Sequence, residues 1–229
     1  MVFTDQLHRR ILNDPEWRAW GKLADNLTIK DDVKFGCDHG INHWKNVSRI
    51  AANFVDCAGG SHTEIVLADT AGLLHDIGII CGDFQHAHIS SCMARAYLES
   101  HFGEDRPLST ADIEIICHAI EVHSDCNEVN NLVDAAVMFA DKIDIDKKRA
   151  LVVANKIIQH VTMIQRISFN IDKRYLTVEY TVSDDFNESF FFPSWPKAYS
   201  VPAKVADYLG KELKFIINDH RLIWPYYSA

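Results

Sequence analysis

The chain has 229 residues, 48% hydrophobic and 24% charged, which is the composition of an ordinary globular protein. Its formal net charge of -9 disfavours long nucleic acid or an anionic membrane surface as the main partner. The six cysteines form no CxxC pair and no run of 18 apolar residues occurs, so we expect reduced thiols, no membrane span and a cytoplasmic location. A small anionic ligand stays compatible with this charge, because a bound metal ion can reverse the local field.

Apolar residues recur at helical spacing in nearly every segment up to about residue 163. The segments with this spacing are Pro15 to Leu23, His43 to Cys57, Glu64 to Ile77, Ala87 to Ser100, Ala111 to His123, Leu132 to Asp146 and Lys148 to Met163. They predict an all-α bundle, so we expect a mainly α fold.

The spacing changes from helical to alternating at Arg166. A polar turn at Asp172 and Lys173 divides the alternating stretch, which predicts a β-hairpin. A closing helix is predicted over about Pro202 to Asp219, and residues 183–200 are expected to form core and loop rather than a lid. Without internal repeats or a long linker, 1–229 is interpreted as one domain, with a helical core at about 1–163 and an appendage at about 164–229.

The string LLHDIG places a histidine and an aspartate at the end of a helix that is apolar almost all round. Gly78 is the expected stop of this helix. An ionised Asp76 at a buried helix end is costly unless something neutralises it, and the adjacent His75 is only a modest partner. A bound divalent cation would neutralise it.

Other histidines and carboxylates fall on core-facing positions. His123 continues the buried stripe of its helix, whereas His118 lies about 140° away around the same helix. Asp141 stands on an apolar face, and His39 and His43 are one turn apart. Taken singly, each such residue is more often a hydrogen-bonded core residue than a ligand. Together, imidazoles and carboxylates form the donor set of Mn, Fe, Co or Zn sites.

The order of His43, His75-Asp76 and then Asp141 in the string MFADKIDI resembles the H...HD...D signature of the HD-domain superfamily of metal-dependent phosphohydrolases. The resemblance covers about residues 35 to 150. Two further strings, HISS at His88 and AIEVHS at 119–124, resemble segments of members that hold two metals. His86 competes with His88 for that role.

The resemblance implies a phosphohydrolase that binds two divalent transition-metal ions, Mn, Fe, Co or Zn. The first ion would be held by His43, His75, Asp76 and Asp141, and the second by His88 and His123, with Asp76 bridging both as the catalytic residue. Such an enzyme cleaves a phosphomonoester or phosphodiester of a nucleotide or similar small metabolite with a metal-activated water. His39 and His118 are expected to support the ligands.

Departures from the family's pattern narrow the expected substrate. Many two-metal members have lysine after HDIG where Ile79 stands, and no GYP triplet follows His123, so cyclic dinucleotide cleavage is less expected. Asn46 replaces an arginine that is common in the family, so phosphate contacts must come from elsewhere. The candidates near the motifs are Lys45, Arg49, Arg95 and Lys142.

Three alternatives remain compatible with the sequence. A single-metal nucleotidase would use His88 and His123 only structurally. A non-catalytic metal-bearing sensor would use the hairpin to signal to a partner or to form a homodimer, because an exposed strand edge could pair with another chain. A di-iron HD oxygenase would oxidise its substrate rather than hydrolyse it.

Overall fold

Helices dominate the computed structural model, which describes residues 2–30, 37–101, 108–124, 128–150 and 155–221. The first eight helices are α1 (Val2–Asn13), α2 (Pro15–Lys30), α3 (Ile41–Cys57), α4 (His62–Leu74), α5 (His86–His101), α6 (Thr110–Val122), α7 (Leu132–Ile143) and α8 (Lys156–Met163). The predicted mainly α bundle is therefore confirmed.

Several helices differ from the predicted ones. Helix α2 continues to Lys30 beyond the predicted end at Leu23, and α7 ends at Ile143 rather than at Asp146. The sequence analysis missed α1, in which Leu7 and Ile11 are the buried side chains among residues 6–13. Helix α4 ends at Leu74, before the His-Asp pair, and a 3-10 helix follows at Ile77–Cys81. The predicted start of α8 at residue 148 is wrong, because residues 147–149 form a turn and the helix begins after its N-cap Asn155.

The predicted hairpin is confirmed as β1 (Ile164–Ile171) paired antiparallel with β2 (Tyr175–Val182). Residues 183–200 contain the short helix α9 (Glu188–Ser194) and the start of α10 (Lys197–Tyr208). Rings of Phe54 in α3, Phe139 in α7 and Phe169 in β1 lie with centroids 4.8 to 5.8 Å apart. This aromatic contact joins the sheet to the bundle.

The predicted closing helix is wrong in its second half. Helix α10 ends at Tyr208, and Gly210 then adopts a positive φ of 64° that leads into a strand. Strand β3 (Glu212–Ile217) pairs parallel with β2, and the short β4 (His220–Arg221) follows antiparallel, which gives the sheet order β1-β2-β3-β4. Burial of Phe215 and Ile217 beside β2 explains why ELKFII forms a strand.

Two glycines allow helices to approach closely around the His-Asp pair. A Cβ on Gly72 in α4 would lie 2.4 Å from Ser48 Cα in α3, and a Cβ on Gly78 would lie 2.5 Å from the Ser90 backbone nitrogen in α5. The Gly78 N–H also donates a 2.8 Å hydrogen bond to Ser90 Oγ. These contacts bring α3 and α5 against the segment that carries the pair.

Replacing Gly72 with alanine is expected to lower the free energy of unfolding by about 1–3 kcal/mol, because the added methyl group meets the α3 backbone rather than a flexible side chain. Chemical denaturation measures the loss. Thr63→Ala, an exposed position on the same helix, is the control and should change stability by less than about 0.5 kcal/mol. A Gly72→Ala variant as stable as the control would contradict the tight contact.

Among the described residues, no single helix is long and apolar enough to cross a membrane.

Candidate metal centre

His75 and Asp76 stand at a helix end that other helices hold in place. The indole N–H of Trp17 donates a 2.9 Å hydrogen bond to the Leu73 carbonyl, next to the pair. Both members of the pair are buried, with His75 at 0% and Asp76 at 3% exposure. The end of α4 therefore projects an imidazole and a carboxylate into the protein interior.

A first cluster forms where α3, the end of α4 and α7 meet. His43 Nε2 lies 3.1 Å from His75 Nε2 and 3.2 Å from Asp141 Oδ1. Asp76 Oδ2 lies 3.7 Å from both imidazole nitrogens. The structure thus brings together all four residues predicted for the first metal ion.

A second cluster forms around the other oxygen of the same aspartate. Asp76 Oδ1 lies 3.4 Å from His86 Nε2 and 3.4 Å from His123 Nε2. This oxygen is buried and makes no hydrogen bond within the described part of the chain. His39 approaches from α3's N-terminal side, with its Nδ1 3.1 Å from Asp76 Oδ2. Asp76 therefore stands between two groups of imidazoles.

Three of these imidazoles are oriented by the same local hydrogen bond. The Nδ1–H groups of His75, His86 and His123 each donate to the backbone carbonyl three residues earlier, at 2.9, 2.9 and 2.6 Å respectively. This bond fixes the proton on Nδ1, so the lone pair of Nε2 is the group that can bind a cation. All three Nε2 atoms face Asp76.

The protonation states of His75, Asp76 and Asp141 match the needs of a metal site, whereas hydrogen bonds to Asp141 and Asp144 outweigh burial and raise the pKa of His43. Burial lowers the pKa of His75 to about 3, so its imidazole is neutral. Burial opposes ionisation of Asp76 and Asp141, yet surrounding imidazoles, and Lys142 beside Asp141, hold both pKa values well below 3.8. Neutral imidazoles and ionised carboxylates are the forms that bind divalent transition metals. The donor set, together with a buried Asp76 Oδ1 that lacks a hydrogen bond among the described residues, therefore fits a metal ion.

The structure does not bring His88 to either cluster. Its side chain is 60% exposed, and its Nδ1 donates a 2.9 Å hydrogen bond to Glu121. Residues two apart on a helix point about 200° away from each other, so His86 and His88 cannot both face Asp76. His86 occupies the place expected for His88. His118 also lies elsewhere, paired with buried Asp134 at 3.1 Å.

A third carboxylate, Asp144, supports the first cluster and was missed by the sequence analysis. Its Oδ2 accepts a 2.7 Å hydrogen bond from His43 Nδ1, so His43 Nε2 faces the cluster. Buried Arg149 donates to the Asp144 carbonyl at 2.8 Å and to the Asp38 carbonyl at 2.9 and 2.7 Å. The signal in the sequence was the spacing of Asp144, three residues after Asp141.

Replacing Asp144 with alanine is expected to weaken metal binding about 10- to 100-fold, because the partner that orients a ligating histidine is lost. Competition with a chromophoric chelator measures the affinity. Asp144→Asn keeps an acceptor oxygen and should fall between the alanine variant and the unaltered chain. Equal affinity in all three would show that His43 needs no such support.

A cavity of about 450 Å³ opens beside the two clusters. Asp76, His39, His86, Asp141 and Lys142 contribute to its lining. Further lining comes from Cys37, Ser124, Ile145, Arg149, Asn155, Ile157, Ile158, Ser194, Trp195, Pro196 and Lys197. The clusters are therefore reachable by a small molecule.

Of the four cations predicted to contact phosphate, only Lys142 lines this cavity. Lys45 and Arg49 are exposed on α3, and Arg95 forms a two-point ion pair with Glu114 at 2.6 and 2.7 Å. The cavity instead includes Arg149 and Lys197, which lie outside the recognised motifs. Proximity in sequence was thus a poor guide to proximity in space.

Residues 40–146 match the family model of the HD domain. The match spans His43, His75, Asp76, His86, His123 and Asp141, the residues of the two clusters. Residues 40–146 are therefore similar to the HD domain, which occurs in a superfamily of metal-dependent phosphohydrolases. A search of curated proteins found no match to this chain.

Proposed function

We propose that this chain is a metal-dependent hydrolase of phosphate esters of small metabolites. The observation that carries the proposal is Asp76, whose two oxygens face two separate groups of buried imidazoles beside a cavity. A carboxylate in this position can be shared between two cations. The HD domain supports the same reaction class.

In this proposal His43, His75, Asp76 and Asp141 hold one ion, and Asp76, His86 and His123 hold a second. When bound at these residues, a metal pair would supply positive charge for the phosphate oxygens and an activated water for hydrolysis. No side-chain nucleophile is needed. The metal would be Mn, Fe, Co or Zn, since the donors are imidazole and carboxylate.

The remaining groups of the cavity bind and position the phosphate. Lys142 and Arg149 balance the negative charges of Asp76 and Asp141 in the lining. Bound metal ions would then leave the cavity positive, which favours an anionic ligand in a protein of net charge -9. His39 hydrogen-bonds Asp76 Oδ2 and holds that carboxylate in its orientation. Ile145, Ile157 and Ile158 exclude water from the same space.

Phosphate release from aryl and nucleoside esters tests this proposal. The full chain is stripped with a chelator, dialysed and loaded separately with Mn, Fe(II), Co or Zn, and monoesters and diesters are compared. We expect hydrolysis that depends on the metal and is lost by at least about 100-fold in His123→Ala. His118→Ala, on the same helix but paired with Asp134, is the matched control and should keep its activity.

Two results would count against the proposal. A His123→Ala variant with nearly full activity would favour the single-metal nucleotidase. Tight metal and phosphate binding without turnover of any ester would favour a non-catalytic sensor.

A further inference from the structure

Part of the cavity lining comes from outside the segment that matches the HD family. Asn155, Ile157 and Ile158 belong to the start of α8, and residues 194–197 join α9 to α10. All of them follow residue 146, where the family match ends. The HD segment therefore supplies the clusters, while the C-terminal part of the chain supplies much of the remaining lining.

Trp195 is the largest side chain of this lining, and its backbone is well held. Its N–H donates a 2.8 Å hydrogen bond to the Phe191 carbonyl, and its own carbonyl accepts a 3.1 Å bond from the Ala198 N–H. Its ring packs against buried Phe191 with centroids 6.1 Å apart. A half-buried indole fixed in this way offers a preformed flat surface to a ligand.

A hydrogen bond from Lys197 connects residues 194–197 to the helical bundle. The Nζ of Lys197 donates this 2.6 Å hydrogen bond to the carbonyl of Ser124, the residue after His123. Residues 194–197 are thereby tied to the end of α6, next to the second cluster. Trp195 and the second cluster therefore lie on neighbouring segments that a hydrogen bond joins.

We propose that Trp195 is a specificity-determining residue that selects phosphate esters whose organic part carries a flat aromatic group. This inference rests on the proposed function for the position of the phosphate, beside Lys142 and Arg149. The organic group then lies against Trp195, Ile157 and Ile158, where stacking and apolar burial stabilise it. Phosphates of small polyols have no group that uses this wall and bind less well.

A matched pair of non-hydrolysable ligands, phenylphosphonate and methylphosphonate, isolates the contribution of the organic group. Calorimetry on the metal-loaded full chain should show tighter binding of phenylphosphonate. Trp195→Ala is expected to weaken phenylphosphonate about tenfold and to change methylphosphonate less than about twofold. Trp195→Phe should restore most of the preference, and Tyr208→Ala, an exposed aromatic on α10 outside the cavity lining, should have no effect.

The same variants are then compared in turnover of phenyl phosphate and glycerol phosphate. We expect Trp195→Ala to raise KM for phenyl phosphate while kcat stays within about twofold, because the indole contacts the organic group and not the reacting atoms. Equal losses for both ligands, or none, would overturn the inference. Failure of the proposed function looks different: no ester is hydrolysed, yet phenylphosphonate binding still depends on Trp195.

Discussion

Replacing Asp76 with asparagine is expected to remove bound metal and nearly all hydrolysis together. Asparagine keeps the shape of the side chain but loses its negative charge, and one of its two polar atoms becomes an N–H donor that cannot bind a cation. Because loss of a group that merely supports a ligand costs 10- to 100-fold in affinity, loss of a shared carboxylate should cost at least about 100-fold. Metal analysis and phosphate release measure both effects.

Asp134→Asn provides the matched control for this experiment. Asp134 is also fully buried and also pairs with a histidine, but it lies outside both clusters. It should keep its metal and its rate. An Asp76→Asn variant that keeps metal and activity would refute the shared-carboxylate arrangement.

The second prediction compares alanine variants of two histidines, His86 and His88, that are only two residues apart. His86→Ala is expected to lose one bound ion and at least about 100-fold in hydrolysis, because its Nε2 faces Asp76 Oδ1. His88→Ala should stay within about twofold, because His88 contacts Glu121 on the exposed face of α5 and α6. Metal-to-protein ratios and rates are measured on both variants in parallel. A larger loss in His88→Ala than in His86→Ala would show that His88, and not His86, is the ligand.

The local motifs allowed much of this site to be predicted. Helical spacing indicated core-facing positions or helix ends for His75, Asp76, His123 and Asp141, and the resemblance to the HD-domain superfamily implied these residues, together with His43, as metal ligands. Such positions follow from hydrophobic spacing within one helix, which is a local property. The structure places all five residues in the two clusters.

What the sequence analysis missed depends on contacts between distant segments. His86 rather than His88 faces Asp76 because of the orientation of α5 about its own axis. The close contact between Gly78 and Ser90 of α5 determines this orientation. Strand β3 was taken for the end of a helix because its partner, β2, lies some 30 residues earlier across α9 and α10. Arg149 lies in a turn and Lys197 at the start of α10, and both line the cavity. No short sequence motif predicts this placement.

The parallel pairing of β2 with β3 requires a long connection between the two strands, and this connection can vary in sequence. The connection between these strands runs through α9 and α10, and it carries Trp195 at its midpoint while the sheet anchors both of its ends. None of the cluster residues lies in this connection. Changes of sequence or length within it would reshape the cavity without moving an imidazole, so the pocket can adapt to new substrates while the chemistry stays constant.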